Sequence, residues 1–539
     1  LDADAMGSRL SSNADDEIAV PNSLFDAAQS EGLLRTISAV RERSVVNTIG
    51  KKVSPEISTI FILNSMTGVA VLSLPYAFAQ AGIALSTAVV GACLLVAFMT
   101  ATFMTEVLSI ANAIFYETAE LQTINSDPAL RSRLHDEHEV AKSKHNLKSR
   151  QSTLEDILTG VRANNARSEF KIRERVELGF VGETVLVGKA AAALIYIVIL
   201  AFTYGSTACL TVTVNQSLAH TLLSVMAVFQ FFPDADLIYR LCIVVVFCVA
   251  LPLCFSDLQR IKRFLVAFMT LRFLAITGMV SVGFYVAICR IQREGLAHVF
   301  STLPMWRPEG FAAVFGNSVF MFGIHHYLPG MLSPLEPMEK ANRVVLTAFV
   351  VLMMLVCTIS MSALIAWGDQ THETCSVKLG GHFCRIQPLY NLNFQPLDWF
   401  GGTLALFILA YAALGIASLP AAAITIRSHL ERVLGVAPPD PEKPVSKQNV
   451  ALTVLCVGPP FGVALVTQNV QVVIKYVGSY AGLMVGFVFP IALLVAGRQK
   501  LKLYHEKFNR PLRSAFGNRC IYFIILVFVF VAVALTTKQ

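Results

Sequence analysis

The sequence predicts an all-α polytopic membrane protein with about eleven transmembrane helices. Three observations carry that expectation. The chain has 539 residues, of which 55% are hydrophobic and only 15% charged, with a mean hydropathy of +0.61; soluble proteins carry about a quarter charged residues. Apolar runs of about 18 residues or more recur along the chain, each long enough to cross a hydrocarbon core. The third is charge: 33 of the 43 Lys and Arg fall in segments on the side of the N-terminus and about 6 on the other. That asymmetry puts the N-terminus in the cytosol, and an odd number of spans puts the C-terminus outside or in a lumen. The net charge of +7 then follows from topology and gives no reason to invoke nucleic acid.

In order, the spans are expected at 57–80, 83–113, 184–212, 239–256, 264–289, 311–332, 344–368, 397–427, 449–467, 472–496 and 519–536. Residues 1–55 read as a mostly disordered cytosolic tail, without the apolar segment a signal peptide needs. Leu1 in place of Met predicts that the sequence begins inside a longer precursor. The cytosolic loop 114–183 is charged, with an amphipathic stretch over 168–182, and is either a solvated linker or a docking site for a protein partner.

The first span should be broken. It contains N-S-M-T-G-V-A-V-L-S-L-P-Y-A-F-A-Q-A-G from Asn64 to Gly82, with Thr67-Gly68 in its middle and Pro75 beyond. Gly and Pro each weaken helical hydrogen bonding, and a bilayer tolerates freed backbone groups only where protein or a watery cavity surrounds them. A Gly/Pro kink used for packing is the alternative for this span alone. The sixth span carries F-G-I-H-H-Y-L-P-G, with two histidines at membrane depth. Two interrupted spans, five apart, point to an inverted-repeat transporter and to its binding site. Residues 56–539 would then be one transporter domain.

Such a site suits an amino acid. The N–H groups over Thr67, Gly68, Val69, Ala70 and Val71, at the start of a half-helix, would cradle a carboxylate. Carbonyls around Phe320 to Gly323 would accept from the ammonium group. No cofactor is expected, only a coupling ion, H⁺ or Na⁺. Asn64, Thr67 and Ser418 are the side-chain oxygens available for Na⁺, unless they only join helices. His325 is either a proton carrier or a packing histidine. Arg272, near the middle of the fifth span, either snorkels to the interface or faces a polar interior. If it reaches the gap between the first and eighth spans, it takes the place of a bound cation and makes Na⁺ unnecessary. Glu106 is a gate partner or an interfacial residue, and Lys189, Arg240 and Lys475 are expected to snorkel.

Eleven cysteines are mostly scattered singly in apolar spans, but Cys375 and Cys384 share the outside loop 369–396, where they are expected to bridge. The sequon at Asn215 abuts a span, too close to the bilayer for ready glycosylation. No nucleotide loop, metal cluster or nucleophile arrangement stands out, so no enzymatic activity is expected.

These residues resemble the amino acid/auxin permease family, within the amino acid, polyamine and organocation superfamily. The Asn64–Gly82 stretch is similar to that family's first span. The likeness continues in I-R-E-R-V-E-L-G from Ile172, F-x-F-G-I-H-H-x-L-P from Phe320, L-P-A-A-A-I-T-I-R from Leu419 and G-S-Y-A-G from Gly478. The resemblance implies eleven helices in a five-plus-five inverted repeat, broken in helices 1 and 6 around the substrate. It implies alternating-access transport of neutral or cationic amino acids, driven by H⁺ or Na⁺. Asn64 matches a first-span asparagine implicated in sodium binding in some members, and Ser418 lies near the eighth-span hydroxyl used with it. Ala70 departs from the usual glycine pair. A plasma membrane or an endolysosomal or vacuolar membrane would be home to such a protein. A transceptor that binds an amino acid and signals with little turnover is the other reading.

Overall fold

The computed structural model describes residues 52–126, 178–186, 189–231, 233–255, 262–368, 386–394, 399–434, 447–504 and 512–538. Cys375 and Cys384 lie outside these residues, as do the tail 1–51 and most of the loop 114–183. Every regular element among the described residues is helical. Ile49–Ile110, Arg175–Tyr504 and Leu512–Gln539 form one compact unit, which holds everything discussed below; the chain from Ala111 belongs to a second.

The first span is α1 (Pro55–Met66) and α2 (Val69–Ala81), bent by 58° at Thr67-Gly68. α1 starts where Ser54 Oγ accepts from the Ile57 N–H and Pro55 presets the first helical φ. α2 stops at Gly82, whose φ of +84° suits glycine and whose Cβ would lie 2.6 Å from the Met305 backbone. There follow α3 (Ile83–Ser126), α4 (Leu178–Val185), α5 (Lys189–Val228), α6 (Ala235–Cys254), α7 (Lys262–Glu294) and the short α8 (Leu296–Ser301).

The sixth span is α9 (Phe311–Phe322), a 3₁₀ turn over Ile324–His326 and α10 (Leu328–Leu332). α11 (Ala341–Trp367) is continuous. The eighth comprises α12 (Trp399–Leu409), a 3₁₀ stretch over Ala410–Ser418 and α13 (Leu419–Leu434). After α14 (Lys447–Val466), the tenth runs from α15 (Val470–Tyr476) through π-helical turns at Val477–Gly482 and Met484–Val488 into α16 (Phe489–Tyr504). The last is α17 (Arg519–Lys538).

The fold is an all-α polytopic one. Seven helical segments among the described residues are long and apolar enough to cross a membrane, and the bent first pair makes an eighth. The interrupted sixth and eighth segments and the shorter α14 occupy the other three expected positions. The third span corrects its expected end. The sequence expects 212, whereas α5 continues to Val228, because its polar residues find partners inside the protein. Asn215 donates to Thr211 O at 2.8 Å and Ser217 Oγ donates to Leu409 O; both residues are fully buried, so the sequon is closed to modification.

The two broken spans lie side by side and antiparallel, tied at both ends by backbone hydrogen bonds. Val53 N donates to Pro334 O at 2.8 Å and Glu336 N to Val53 O at 3.0 Å, joining the start of the first span to the end of the sixth. At the opposite end Ile83 N reaches Pro304 O and Ala84 N reaches Met305 O, both at 2.9 Å, while Arg307 N donates to Ala81 O at 2.8 Å. α9 also meets the tenth span backbone to backbone, since a Cβ on Gly478 would fall 2.0 Å from Gly316 O.

Candidate functional site

The break at Thr67-Gly68 leaves the Thr67 carbonyl outside the helical ladder, and two side chains claim it. Arg272 Nη2 of α7 donates to Thr67 O at 2.5 Å, and Tyr411 Oη of the eighth span donates to the same oxygen at 2.9 Å. The Arg272 guanidinium lies 5.8 Å from the centre of the Tyr411 ring, within reach of its π face. Arg272 therefore does not snorkel. It bridges the first and eighth spans through the fifth, one of the two arrangements open to it from sequence.

Gly68 caps α2 with no side chain, so the first N–H groups of that half-helix have no side-chain cap. A Cβ built on Gly68 would meet only Arg272 Nη2, at 3.9 Å, so this side of the break is open. Val69, Ala70 and Val71, which begin that half-helix, are buried. Asn64 sits one turn earlier; its carbonyl accepts from Thr67 Oγ1 at 3.4 Å, and its buried Oδ1 has no hydrogen-bond partner. Ser418 ends the 3₁₀ stretch that begins beside Tyr411, and no described contact joins it to Asn64.

At the sixth-span break, the Gly323 N–H reaches Phe320 O at 3.4 Å, and His326 Nδ1 lies 3.2 Å from Gly323 O. Each carbonyl thus has one partner already and keeps a second lone pair. A Cβ on Gly323 would lie 3.0 Å from Phe202 Cζ, and the rings of Phe202 and Phe320 are 6.2 Å apart. His325 is fully buried. Its Nε2 sits 3.1 Å from Ala97 O and 2.9 Å from Thr100 Oγ1, both on α3. A hydrogen bond to Ala97 O needs the ring proton on Nε2, whereas one from the Thr100 hydroxyl needs that nitrogen bare. The Nδ1 edge faces Gly486 of the tenth span, where a Cβ would stand 3.5 Å away.

Sequence reasoning found Thr67, Gly68 and Arg272, which the structure brings together, and missed Tyr411, Thr100 and Phe202, which complete the surroundings.

This geometry is that of a membrane protein with paired broken spans, and comparison with known proteins agrees in class. Residues 51–125, the first span and most of α3, match the model of the family described as transmembrane amino acid transporter protein. Over most of its length the chain is similar to proteins named transmembrane protein 104. The Dictyostelium discoideum transmembrane protein 104 homolog is 27% identical over 90% of this chain and 97% of its own length. Transmembrane protein 104 of Mus musculus is 23% identical over 92% and 99%. The Drosophila melanogaster homolog is 21% identical over 84% and 90%.

Proposed function

We propose that this protein is a secondary active transporter of amino acids or close analogues, working by alternating access and driven by H⁺ rather than Na⁺. The observation that carries the ion choice is the double claim on Thr67 O by Arg272 and Tyr411. A Na⁺ held between the first and eighth spans would need carbonyl and hydroxyl oxygens there. The guanidinium already supplies a permanent positive charge at that oxygen, so a second cation would be repelled. His325, at the other break, is the candidate to take up the transported proton, and its Nδ1 edge faces Gly486.

The substrate carboxylate would dock on the N–H groups at Gly68 to Val71, where the open side of the break and the positive end of α2 coincide. The ammonium would use the remaining lone pairs at Phe320 and Gly323. Charge asymmetry supports a cytosolic N-terminus, which turns the Gly82 end outward or toward a lumen.

The experiment is uptake of a pooled labelled amino acid mixture by purified protein in liposomes, under an imposed H⁺ gradient and then a Na⁺ gradient. Accumulation driven by H⁺, undiminished when Na⁺ is replaced by choline, is the expected result. Binding without accumulation would favour the transceptor, and Na⁺-driven accumulation would return Asn64 and Ser418 to the ion site.

A further inference from the structure

At the Gly82 end of the molecule, three buried polar side chains from three spans form a closed set. They are Ser73 of α2, Asn317 of α9 and Gln471 of α15, which are 0%, 0% and 9% exposed. Ser73 Oγ donates to Asn317 Oδ1. Asn317 Nδ2 donates to Gln471 Oε1 at 2.9 Å and to Ala313 O at 2.8 Å. Gln471 Nε2 gives its two hydrogens to Ser73 O at 3.0 Å and Pro388 O at 2.9 Å. The pattern leaves one orientation for each amide. Turning Asn317 over would aim its oxygen at Ala313 O and Gln471 Oε1, and turning Gln471 over would aim its oxygen at two carbonyls.

Pro388 belongs to a segment that lies inside the protein instead of on its surface. Ile386, Leu389, Tyr390, Leu392 and Phe394 are all buried, and Tyr390 and Phe394 pack edge-on against Trp367 at 5.7 and 5.3 Å. Asn391 Nδ2 anchors the segment to Ser217 Oγ at 3.1 Å and Leu409 O at 2.8 Å. Residues 386–394 thus fill the end of the molecule between α2, α5 and the eighth span, and Gln471 joins this plug to both half-helices, α2 and α9.

We propose that Gln471 is the positioning residue of a gate: it holds α2, α9 and the plug 386–394 together when the Gly82 end is closed, and releases them when it opens. This rests on the transport reading, because α2 and α9 flank the proposed substrate site and must part from the tenth span for that end to admit a ligand. The chemistry suits a reversible latch. All partners are neutral, so water can replace each bond on opening without any charge being exposed or buried. Gln471 also serves as donor and acceptor at once, so one side-chain movement undoes contacts to all three partners.

The test is hydrogen–deuterium exchange of the full-length protein in nanodiscs, with flux measured on the same preparations in liposomes. Gln471→Met keeps the side chain's length and removes its three hydrogen bonds, to Asn317, Ser73 O and Pro388 O, while the Ser73–Asn317 bond stays. It should speed exchange about tenfold or more in 386–394 and in the Gly82 ends of α2 and α9, with α7 and α11 unchanged. Gln471→Glu keeps the acceptor for Asn317 but turns a carboxylate oxygen on Ser73 O and Pro388 O, and should open the same segments further. In flux, both variants should lose net accumulation about fivefold while keeping substrate exchange, since a gate that fails to close still lets the site equilibrate with that side. Unchanged protection in both variants overturns the gate, as does faster exchange spread evenly through all helices, which would make Gln471 a packing residue. If the segments open as expected while the unmodified protein moves no amino acid, the latch stands and the transport reading falls.

Discussion

Arg272 is the residue on which the most depends. A permanent charge in the middle of an apolar span is costly unless it is matched by acceptors or polar surroundings. Here it is matched by the Thr67 carbonyl, which lies at the first-span break. Arg272→Ala should abolish uptake at low Na⁺; partial recovery on adding Na⁺ would mark the vacated position as a cation site, read by uptake in Na⁺ and in choline buffers. Gly68→Leu fills the open side of the break and should cut uptake by about tenfold or more while surface delivery stays near normal. Retained uptake with unchanged affinity would take that break out of the site. For His325, the hydrogen bonds to Ala97 and Thr100 both fall on Nε2. His325→Ala should flatten the pH profile of uptake; an unaltered profile would mean that its role is to pack the sixth span on α3.

At the scale of elements, the second span, the tenth and the last are joined by an ion pair that sequence left ambiguous. Glu106 of α3, 1% exposed, accepts two hydrogen bonds from Arg498 of α16, at 2.8 and 2.7 Å, and another from Ser514 N at 2.8 Å. Arg498 goes on to Gly517 O at 2.6 Å and to Tyr522 Oη of α17 at 3.2 Å. Glu106 is therefore no lone interfacial acid but the anchor of the chain that leads into α17. Removing one partner strands a buried charge, so Arg498→Leu should cost about 3–5 kcal/mol of stability, and Glu106→Leu with Arg498→Leu should recover most of it. Thermal unfolding of the purified variants in detergent reads both.

What sequence made legible at this scale divides along physical lines. The first break was readable because Thr67-Gly68 acts locally, and the sixth because Gly323 and Pro329 do the same; Pro75 sits inside α2 without ending it. The far end of α5 was not, because Asn215, Gln216 and Ser217 look like a polar exit until their partners at Thr211, Gln468 and Leu409 are known. The 3₁₀ stretch at Ala410–Ser418 and the π turns after Tyr476 are not anticipated from the sequence, because small residues such as Gly415, Gly478 and Gly482 are equally at home in a regular membrane helix. Gln471 fell one residue outside the expected tenth span, so its place in a buried network was invisible: three partners lie 83, 154 and 398 positions away in the chain.

For the whole molecule, the sequence carried the class of fold, since length, hydropathy and charge asymmetry suffice for a polytopic helical protein. They also make a prediction about sidedness. Tags placed at the two termini should be reached by antibody from opposite faces of a sealed membrane, the N-terminal tag from the cytosolic one; access to both from one face would require an even number of crossings. The site itself was only half readable, because it is assembled from long-range contacts to freed backbone groups.

The paired ties that hold the two broken spans together have a genetic consequence. They run from the amides of Val53, Glu336, Ile83, Ala84 and Arg307 to carbonyls, with no side chain taking part. An alanine scan would leave all five of these backbone bonds in place, removing only side-chain contacts such as those of Glu336 to Lys52 and of Arg307 to Ala79 O. Proline, which deletes the amide hydrogen, would cut each tie separately, so a proline scan could free one end of the pair at a time and report whether the two spans travel as a single body.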